Sequence, residues 1–211
     1  MTYTVKEIFY TLQGEGTHSG RPAVFCRFSG CNLWTGREED RAHAICTFCD
    51  TDFVGVGPDG GKFTTADNLA DAVSAQWPSL NGHGKRFVVC TGGEPLLQLD
   101  AAAIAAFHQR GFEVAIETNG TLEPPAGIDW ICVSPKAGSD TILLRGNEIK
   151  LVYPQADAPP EAFETAMFDQ FFLQPMDGPH AAENTQLALE YCLAHPQWKL
   201  SLQTHKLIGI R

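Results

Sequence analysis

From Thr65 onward, segments of strand composition alternate with segments of helical period, and this alternation constrains the fold more than any other feature. Residues Asp67 to Trp77 put Leu69, Ala72, Val73 and Trp77 along one side of a helix. A buried-type strand follows at Arg86–Cys90, then a helix over Leu97–Arg110 closed by Gly111, a natural C-terminal glycine. Strands are predicted at Phe112–Ile116, Trp130–Val133 and Glu148–Val152. A short helix is expected over Glu161–Phe168, a strand at Phe171–Leu173, a helix over Asn184–Leu193 and a last strand at Lys199–Gln203. Strands separated by helices imply parallel βα units. A complete eightfold barrel needs roughly 250 residues, whereas this chain has 211. It spends its opening on two strands (Thr4–Tyr10 and Ala23–Phe28), an aperiodic stretch from Ser29 to Asp50 and a turn-rich patch from Gly55 to Gly61. The expected fold class is therefore α/β, an incomplete, open (β/α) barrel with about six core strands and few helices. No repeat, low-complexity segment or linker divides residues 1–211, so one domain is expected.

In parallel sheets the ligand site lies beyond the C-terminal ends of the strands. Those ends carry Thr91-Gly92-Gly93-Glu94-Pro95, Glu117-Thr118-Asn119-Gly120, Ser134-Pro135-Lys136, Gln174-Pro175-Met176-Asp177 and Thr204-His205-Lys206. Taken singly, each is an ordinary turn: Pro95 suits a helix start and Asn119-Gly120 a tight turn. Five successive strand ends with ligand-capable groups describe instead a ring of donors and acceptors around one cavity.

Charge narrows the ligand. Fifteen Lys and Arg against 25 Asp and Glu leave a formal charge of −10 with no basic run, so binding to nucleic acid or to an acidic membrane is not expected. No apolar run reaches the roughly 18–20 residues of a membrane span. The start, Met1-Thr2-Tyr3-Thr4-Val5-Lys6-Glu7, does not read as a signal peptide, so a cytoplasmic location with reduced cysteines is expected. Among the 7 cysteines, Cys31, Cys46 and Cys49 form a C-x14-C-x2-C pattern within the aperiodic stretch. The residues allow buried thiols, a Cys3His zinc site completed by His43, a redox pair at Cys46 and Cys49, or an iron–sulfur cluster. A [4Fe–4S] cube held by three thiolates keeps one iron open to a chelating ligand, a role that the amino and carboxylate groups of S-adenosylmethionine suit.

The cysteine pattern, Thr91-Gly92-Gly93-Glu94-Pro95 and the later strand-end residues resemble the radical S-adenosylmethionine superfamily. Over its whole length the chain is similar, within that superfamily, to the 7-carboxy-7-deazaguanine synthase family. Its closest marks include Phe9–Gly16, Phe25–Trp34, Cys49-Asp50-Thr51-Asp52, Glu117–Gly120, Ser134–Lys136 and Gln174–Asp177. The superfamily's usual spacing is C-x3-C-x2-C; the longer gap, an insertion at about residues 32–45, resembles one subgroup of the synthases.

The resemblance implies a radical S-adenosylmethionine-type fold and a carbon–nitrogen lyase. It would convert 6-carboxy-5,6,7,8-tetrahydropterin to 7-carboxy-7-deazaguanine and ammonia by radical ring contraction, for 7-deazapurine (queuosine) biosynthesis. It also implies a homodimer that uses a [4Fe–4S] cluster, S-adenosylmethionine and Mg2+, with a donor such as flavodoxin. Carried onto this chain, Cys31, Cys46 and Cys49 hold the cluster. Phe48, Cys49 and Asp50 flank the cofactor; Gly93, Ser134, Pro135 and Lys136 line another side, and Gln174, Pro175, Met176 and Asp177 a third. Leu12, Gln13, Gly14, Glu15 and Thr91 meet the pterin. Arg27, whose planar fork matches a carboxylate, takes the substrate's carboxylate. Thr51 ligates Mg2+, while His205, Lys206 and the terminal Arg211 close over the substrate. On the residues alone, a solvated loop carboxylate is the lesser alternative for Glu15, and a structural ion pair with Glu15 or Asp50 the lesser one for Arg27. Two other functions stay open: a glycyl-radical activating enzyme acting on a partner protein, and a non-catalytic zinc-binding interaction protein.

Overall fold

The computed structural model describes residues 2–78 and 84–211. Its frame is one nine-stranded sheet in the order β3-β1-β2-β4-β5-β6-β7-β8-β9. The strands are β1 (Tyr3–Leu12), β2 (Pro22–Phe28), β3 (Gly61–Phe63), β4 (Arg86–Gly92) and β5 (Phe112–Thr118). They continue with β6 (Trp130–Val133), β7 (Arg145–Tyr153), β8 (Met167–Pro175) and β9 (Trp198–Leu200). From β2 to β9 every neighbouring pair is parallel, while β1 runs antiparallel to both β2 and β3. The sheet does not close: β3 and β9 stand at opposite edges. The expected six core strands correspond to β4 through β9; the first 63 residues extend that run with three more strands.

Among the described residues, four α-helices accompany the sheet: α1 (Ala66–Gln76), α2 (Ala101–Gln109), α3 (Ala181–Ala194) and the short α4 (Thr204–Ile208). Local chemistry sets their ends. The Thr65 side chain accepts from the Asn68 amide at 3.1 Å, and Asp100 accepts from the Ala103 amide at 2.9 Å. Because Asp100 caps it, α2 begins four residues later than the predicted Leu97, behind a 3-10 turn at Pro95–Leu97. Gly111, at φ +77°, ends it.

Two predicted elements are corrected. Glu161–Phe168 is not a helix: only Pro160–Phe163 makes a 3-10 turn, and β8 already starts at Met167. Its ladder with β7 pairs Phe168 with Gly146 and runs to Tyr153–Pro175, so a long parallel pairing overrides weak local helical character. The last strand stops at Leu200 instead of Gln203, and the chain turns into α4.

Side-chain alternation divides the strands between two environments. Val24, Cys26, Val88, Cys90, Val114 and Ile116 pack on Leu69 and Val73 of α1 and Ile104 and Phe107 of α2. Ile149, Leu151, Leu173 and Trp198 pack with Ala188 of α3. Emptying such a position, as in Phe107→Ala, costs about 3–5 kcal/mol. The alternate residues, including Arg27, Thr91, Glu117, Lys150 and Gln174, turn to the concave side and line a cavity.

Candidate active site

The cavity has a volume of about 400 Å3, within the range of small-molecule sites. Strand register sets its wall. Arg27 of β2 lies beside Thr91 of β4, Glu117 of β5 beside Cys132 of β6, and Val152 of β7 beside Gln174 of β8. Loops that leave the same strand ends add the remaining groups.

Cys31, Cys46 and Cys49 all line one part of this cavity. They lie on the long loop between β2 and β3, and backbone bonds close the 14-residue gap. The Leu33 carbonyl accepts from the amides of Ile45 at 3.1 Å and Cys46 at 3.4 Å, which returns the chain to the neighbourhood of Cys31. The Gly92-Gly93 turn braces this loop from below. A Cβ at Gly93 would overlap the Gly30 carbonyl oxygen and lie 2.9 Å from Cys31 Cβ. The Glu94 amide donates to that same carbonyl at 2.9 Å. Glu94 itself is fully buried and accepts from Thr118 Oγ1 and the Asn119 amide, both at 2.8 Å, so two strand-end loops are tied behind the cavity wall. Burial pushes its carboxyl up.

The donor set fits a cluster with one iron not held by the protein. Three thiols share the cavity, whereas Cys26, Cys90 and Cys132 are buried in the sheet and Cys192 lies on α3; none of these four lines it. The neighbouring Cys46 and Cys49 thiols perturb one another, the pKa of Cys49 lowered and that of Cys46 raised. His43 lies exposed at the end of a 3-10 turn, Glu38–His43, away from the lining. Among the described residues, no three His, Cys, Asp or Glu side chains converge as one metal ion would need.

The structure gathers the sequence-predicted residues around this one cavity, with one exception. Phe48, Asp50, Thr51, Gly93, Ser134 and Lys136 line it, as do Gln174, Pro175, Met176 and Asp177. So do Leu12, Gln13, Gly14, Glu15, Arg27, Thr91, His205, Lys206 and Arg211. Pro135 is buried outside the lining, because the turn that aims Ser134 and Lys136 at the cavity points the ring between them away. Lys136 Nζ donates to the Ser134 carbonyl and hydroxyl, both at 2.7 Å, and burial lowers its pKa.

Glu15 is not a solvated loop carboxylate. Its side chain is 13% exposed, is ion-paired with Lys150 and accepts from Gln203 Nε2 at 2.9 Å. Burial raises its pKa, but Lys150 and that hydrogen bond outweigh burial and hold it at about 2. Lys150, 4% exposed, also lies 3.3 Å from Glu117, which accepts from Gln13 Nε2 at 2.9 Å. The sequence reading did not single out Lys150, although a lysine between Ile149 and Leu151 in a buried strand is the signal that marks it.

Arg27 pairs with neither Glu15 nor Asp50. Its Nε donates to Glu7 Oε1 at 2.7 Å. Glu7 Oε2 accepts from Arg211 at 2.6 Å, and Arg211 reaches Asp59 at 2.7 Å. The C-terminal segment thus straps the cavity. Thr204 docks by its amide and hydroxyl on the Gly14 carbonyl, at 3.0 and 2.9 Å. Gly14 has no Cβ to meet the His205 ring that packs on it. Lys206 Nζ bridges Asp50 at 2.7 Å and Asp177 at 2.6 Å. Thr51 Oγ1 sits 3.5 Å from Asp50 Oδ1, so one hydroxyl and one carboxylate oxygen are adjacent there.

No family model matches the chain. It is 66% identical to the 7-carboxy-7-deazaguanine synthase of Bordetella pertussis and 65% identical to that of Caulobacter vibrioides, in each case over 100% of both chains. Among solved structures it resembles the crystal structure of QueE from Escherichia coli with a TM-score of 0.71 at 28% identity, covering 96% of this chain and 94% of that one. Identity of this degree across the whole of both chains leaves one assignment: the chain belongs to the 7-carboxy-7-deazaguanine synthase family.

Proposed function

We propose that this cavity is where the chain performs the chemistry of its family. That chemistry is the conversion of 6-carboxy-5,6,7,8-tetrahydropterin to 7-carboxy-7-deazaguanine with loss of ammonia, by radical ring contraction, in queuosine biosynthesis. The observation that carries the reading is the meeting of three thiols with the polar ends of successive strands in one cavity of small-molecule size. A glycyl-radical activase and a zinc-binding module lose their support, since the full-length relatives are synthases and His43 stands outside the cavity.

When bound, a [4Fe–4S] cluster with S-adenosylmethionine supplies a 5′-deoxyadenosyl radical. Cys31, Cys46 and Cys49 would hold that cluster. Phe48, Asp50, Gly93, Ser134 and Lys136, with Gln174 to Asp177, would surround the cofactor. Leu12, Gln13, Gly14 and Thr91 would contact the pterin, and Glu15, kept ionised by Lys150, would accept its ring N–H groups. The two Nη groups of Arg27, not engaged by Glu7 among the described residues, are the natural partner of the substrate carboxylate. Thr51 beside Asp50 would ligate Mg2+ through oxygen, and the strap ending at Arg211 would cover the substrate.

We further read residues 1–211 as one domain with an insertion at about residues 32–45, acting as a cytoplasmic homodimer reduced by a flavodoxin-type donor. Among the described residues no helix is long and apolar enough to cross a membrane.

The test is anaerobic turnover of the iron-reconstituted protein with 6-carboxytetrahydropterin, following product by ultraviolet absorbance and mass. Cys31→Ala, Cys46→Ala and Cys49→Ala should each lose turnover and iron loading, while Cys26→Ala keeps both. Zinc without iron or sulfide in anaerobically purified protein, or loss of the cluster in Cys26→Ala, would overturn this reading.

A further inference from the structure

The insertion between Cys31 and Cys46 makes contacts that a mere spacer would not. Its 3-10 turn, Glu38–His43, presents Arg41 back toward the cysteine-bearing segment. Nη1 of Arg41 donates to the carbonyls of Thr47 at 2.9 Å and Cys49 at 3.1 Å. Nε and Nη2 grip the Glu38 carboxylate at 2.7 and 2.6 Å, a bidentate pair that fixes the plane of the guanidinium. One face of that plane lies 4.0 Å above the Trp34 ring. Trp34 is itself 7% exposed, packs edge-on against Phe53 and donates to the Arg37 carbonyl at 3.2 Å. Arg41 is therefore held from two sides, and its remaining donors are spent on the backbone that carries Cys46 and Cys49.

We propose that Arg41 is a positioning residue for the metal cluster of the proposed active site: it clamps the Cys46–Cys49 turn so that a 14-residue insertion delivers its thiols as a short loop would. Closing a longer loop costs conformational entropy, and an unfixed turn would sample orientations in which the two thiols diverge. The guanidinium opposes that freedom by bonding carbonyls on both sides of Phe48. It also leaves a permanent positive charge near two thiolates, which favours the more negative, reduced state of anything they bind. This inference rests on the cluster reading above.

The test compares wild type with Arg41→Met, which keeps the stem but removes the charge and the donors, and Arg41→Lys, which keeps the charge without the fork. Glu38→Gln, which leaves the guanidinium in place but loosens its anchor, covers the event that Arg41→Met fails to fold by circular dichroism. Three properties are read on the reconstituted proteins: iron and sulfide per chain, the rate of iron loss to a chelator, and the midpoint potential from a redox titration followed by electron paramagnetic resonance. Loss of hydrogen bonds to a charged group should speed iron loss about tenfold or more in Arg41→Met. Its midpoint potential should fall, Arg41→Lys should retain the potential better than the iron, and Glu38→Gln should show a smaller acceleration. Wild-type rates and potentials in folded Arg41→Met, or in Glu38→Gln if it alone folds, would overturn the inference while leaving the cluster reading intact. A wild-type protein that takes up no iron would overturn that reading first, and this one with it.

Discussion

Glu7 accepts from Nε of Arg27 at 2.7 Å, and this bond orients the fork of Arg27 without occupying it. The same carboxylate holds Arg211 at 2.6 Å, and the two arginines keep it below the usual carboxylate range against the opposing effect of burial. An anion entering the cavity would therefore meet an arginine already aimed, through a residue shared with the C-terminal strap.

Arg27→Lys keeps the charge but loses both the fork and the planar contact with Glu7. Substrate binding should weaken while binding of S-adenosylmethionine persists. Truncating one partner of a hydrogen-bonded charge pair costs about 2–5 kcal/mol, so apparent affinity should fall roughly 30-fold or more. Equilibrium binding of the pterin to the anaerobic protein checks this, and unchanged affinity in Arg27→Ala would leave the arginine with a structural role only.

Glu15 and Lys150 make a pH prediction. Glu15 sits at about 2 in the folded chain, below its ordinary value of 4.5. A carboxyl lowered by folding contributes stability that is complete above its unfolded pKa and lost as pH falls through the folded one. Stability should thus decline between about pH 4.5 and pH 2 as this pair is protonated. Lys150→Met would leave the half-buried Glu15 and Glu117 side by side without their cation. Breaking a buried pair in this way costs about 3–5 kcal/mol, at roughly 2–4 °C of melting temperature per kcal/mol for a chain of this size. Thermal unfolding at pH 7 and across the acid range measures both. A Lys150→Met protein with wild-type melting and acid profile would mean that the pair contributes nothing.

How much of this could be read in the chain depended on the range of the forces involved. Strands β4 to β8 were legible because each carries a short β-branched or aromatic segment packed on the helices, and the strand-end turns were legible because glycine and polar residues follow those segments. Strand β3 was not: Gly61-Lys62-Phe63 has no apolar period, and its conformation comes from pairing with Tyr3, Thr4 and Val5 far along the chain. The five-residue α4 is likewise too short to carry a period, and its place follows from Thr204 bonding Gly14. The partner of Arg27 lay beyond local reading for a related reason. Glu7 reaches it only because the antiparallel register of β1 and β2, shifted by an irregularity between Val5 and Glu7, sets those two positions side by side.

Gly93 tests the joint between the cysteine loop and the sheet. Any side chain there meets the Gly30 carbonyl and Cys31 Cβ, which are backbone and its nearest carbon and not the end of a flexible side chain. Gly93→Ala should displace the Cys31 stem, lower iron loading after reconstitution and reduce stability by about 1–3 kcal/mol, the usual range for overpacking. Iron content and thermal unfolding of the same sample separate the two effects. Full iron loading with unchanged melting would show that the loop can move away without consequence.

Thr51 bears on the metal dependence. Six carboxylates, among them Asp50, Glu15 and Glu117, already line the cavity, and a substrate carboxylate would add a seventh. Lys6, Arg27, Lys150, Lys206 and Arg211 offset this charge, but each is already engaged by one or more of those carboxylates, and Lys136 is held by Ser134. At low effective dielectric the remaining repulsion is unfavourable, and a divalent cation close to the substrate would relieve it. The Thr51 hydroxyl, 3.5 Å from an Asp50 oxygen, offers an oxygen ligand of the kind Mg2+ takes, with water completing the shell. Mg2+ should therefore raise turnover of the wild-type protein. Thr51→Val, close in shape but without the oxygen, should lose most of that response while keeping its iron content and its binding of S-adenosylmethionine. Turnover measured against Mg2+ concentration for both proteins decides the point. Equal stimulation of the two would move the cation away from Thr51, and no stimulation of either would remove it from the reaction.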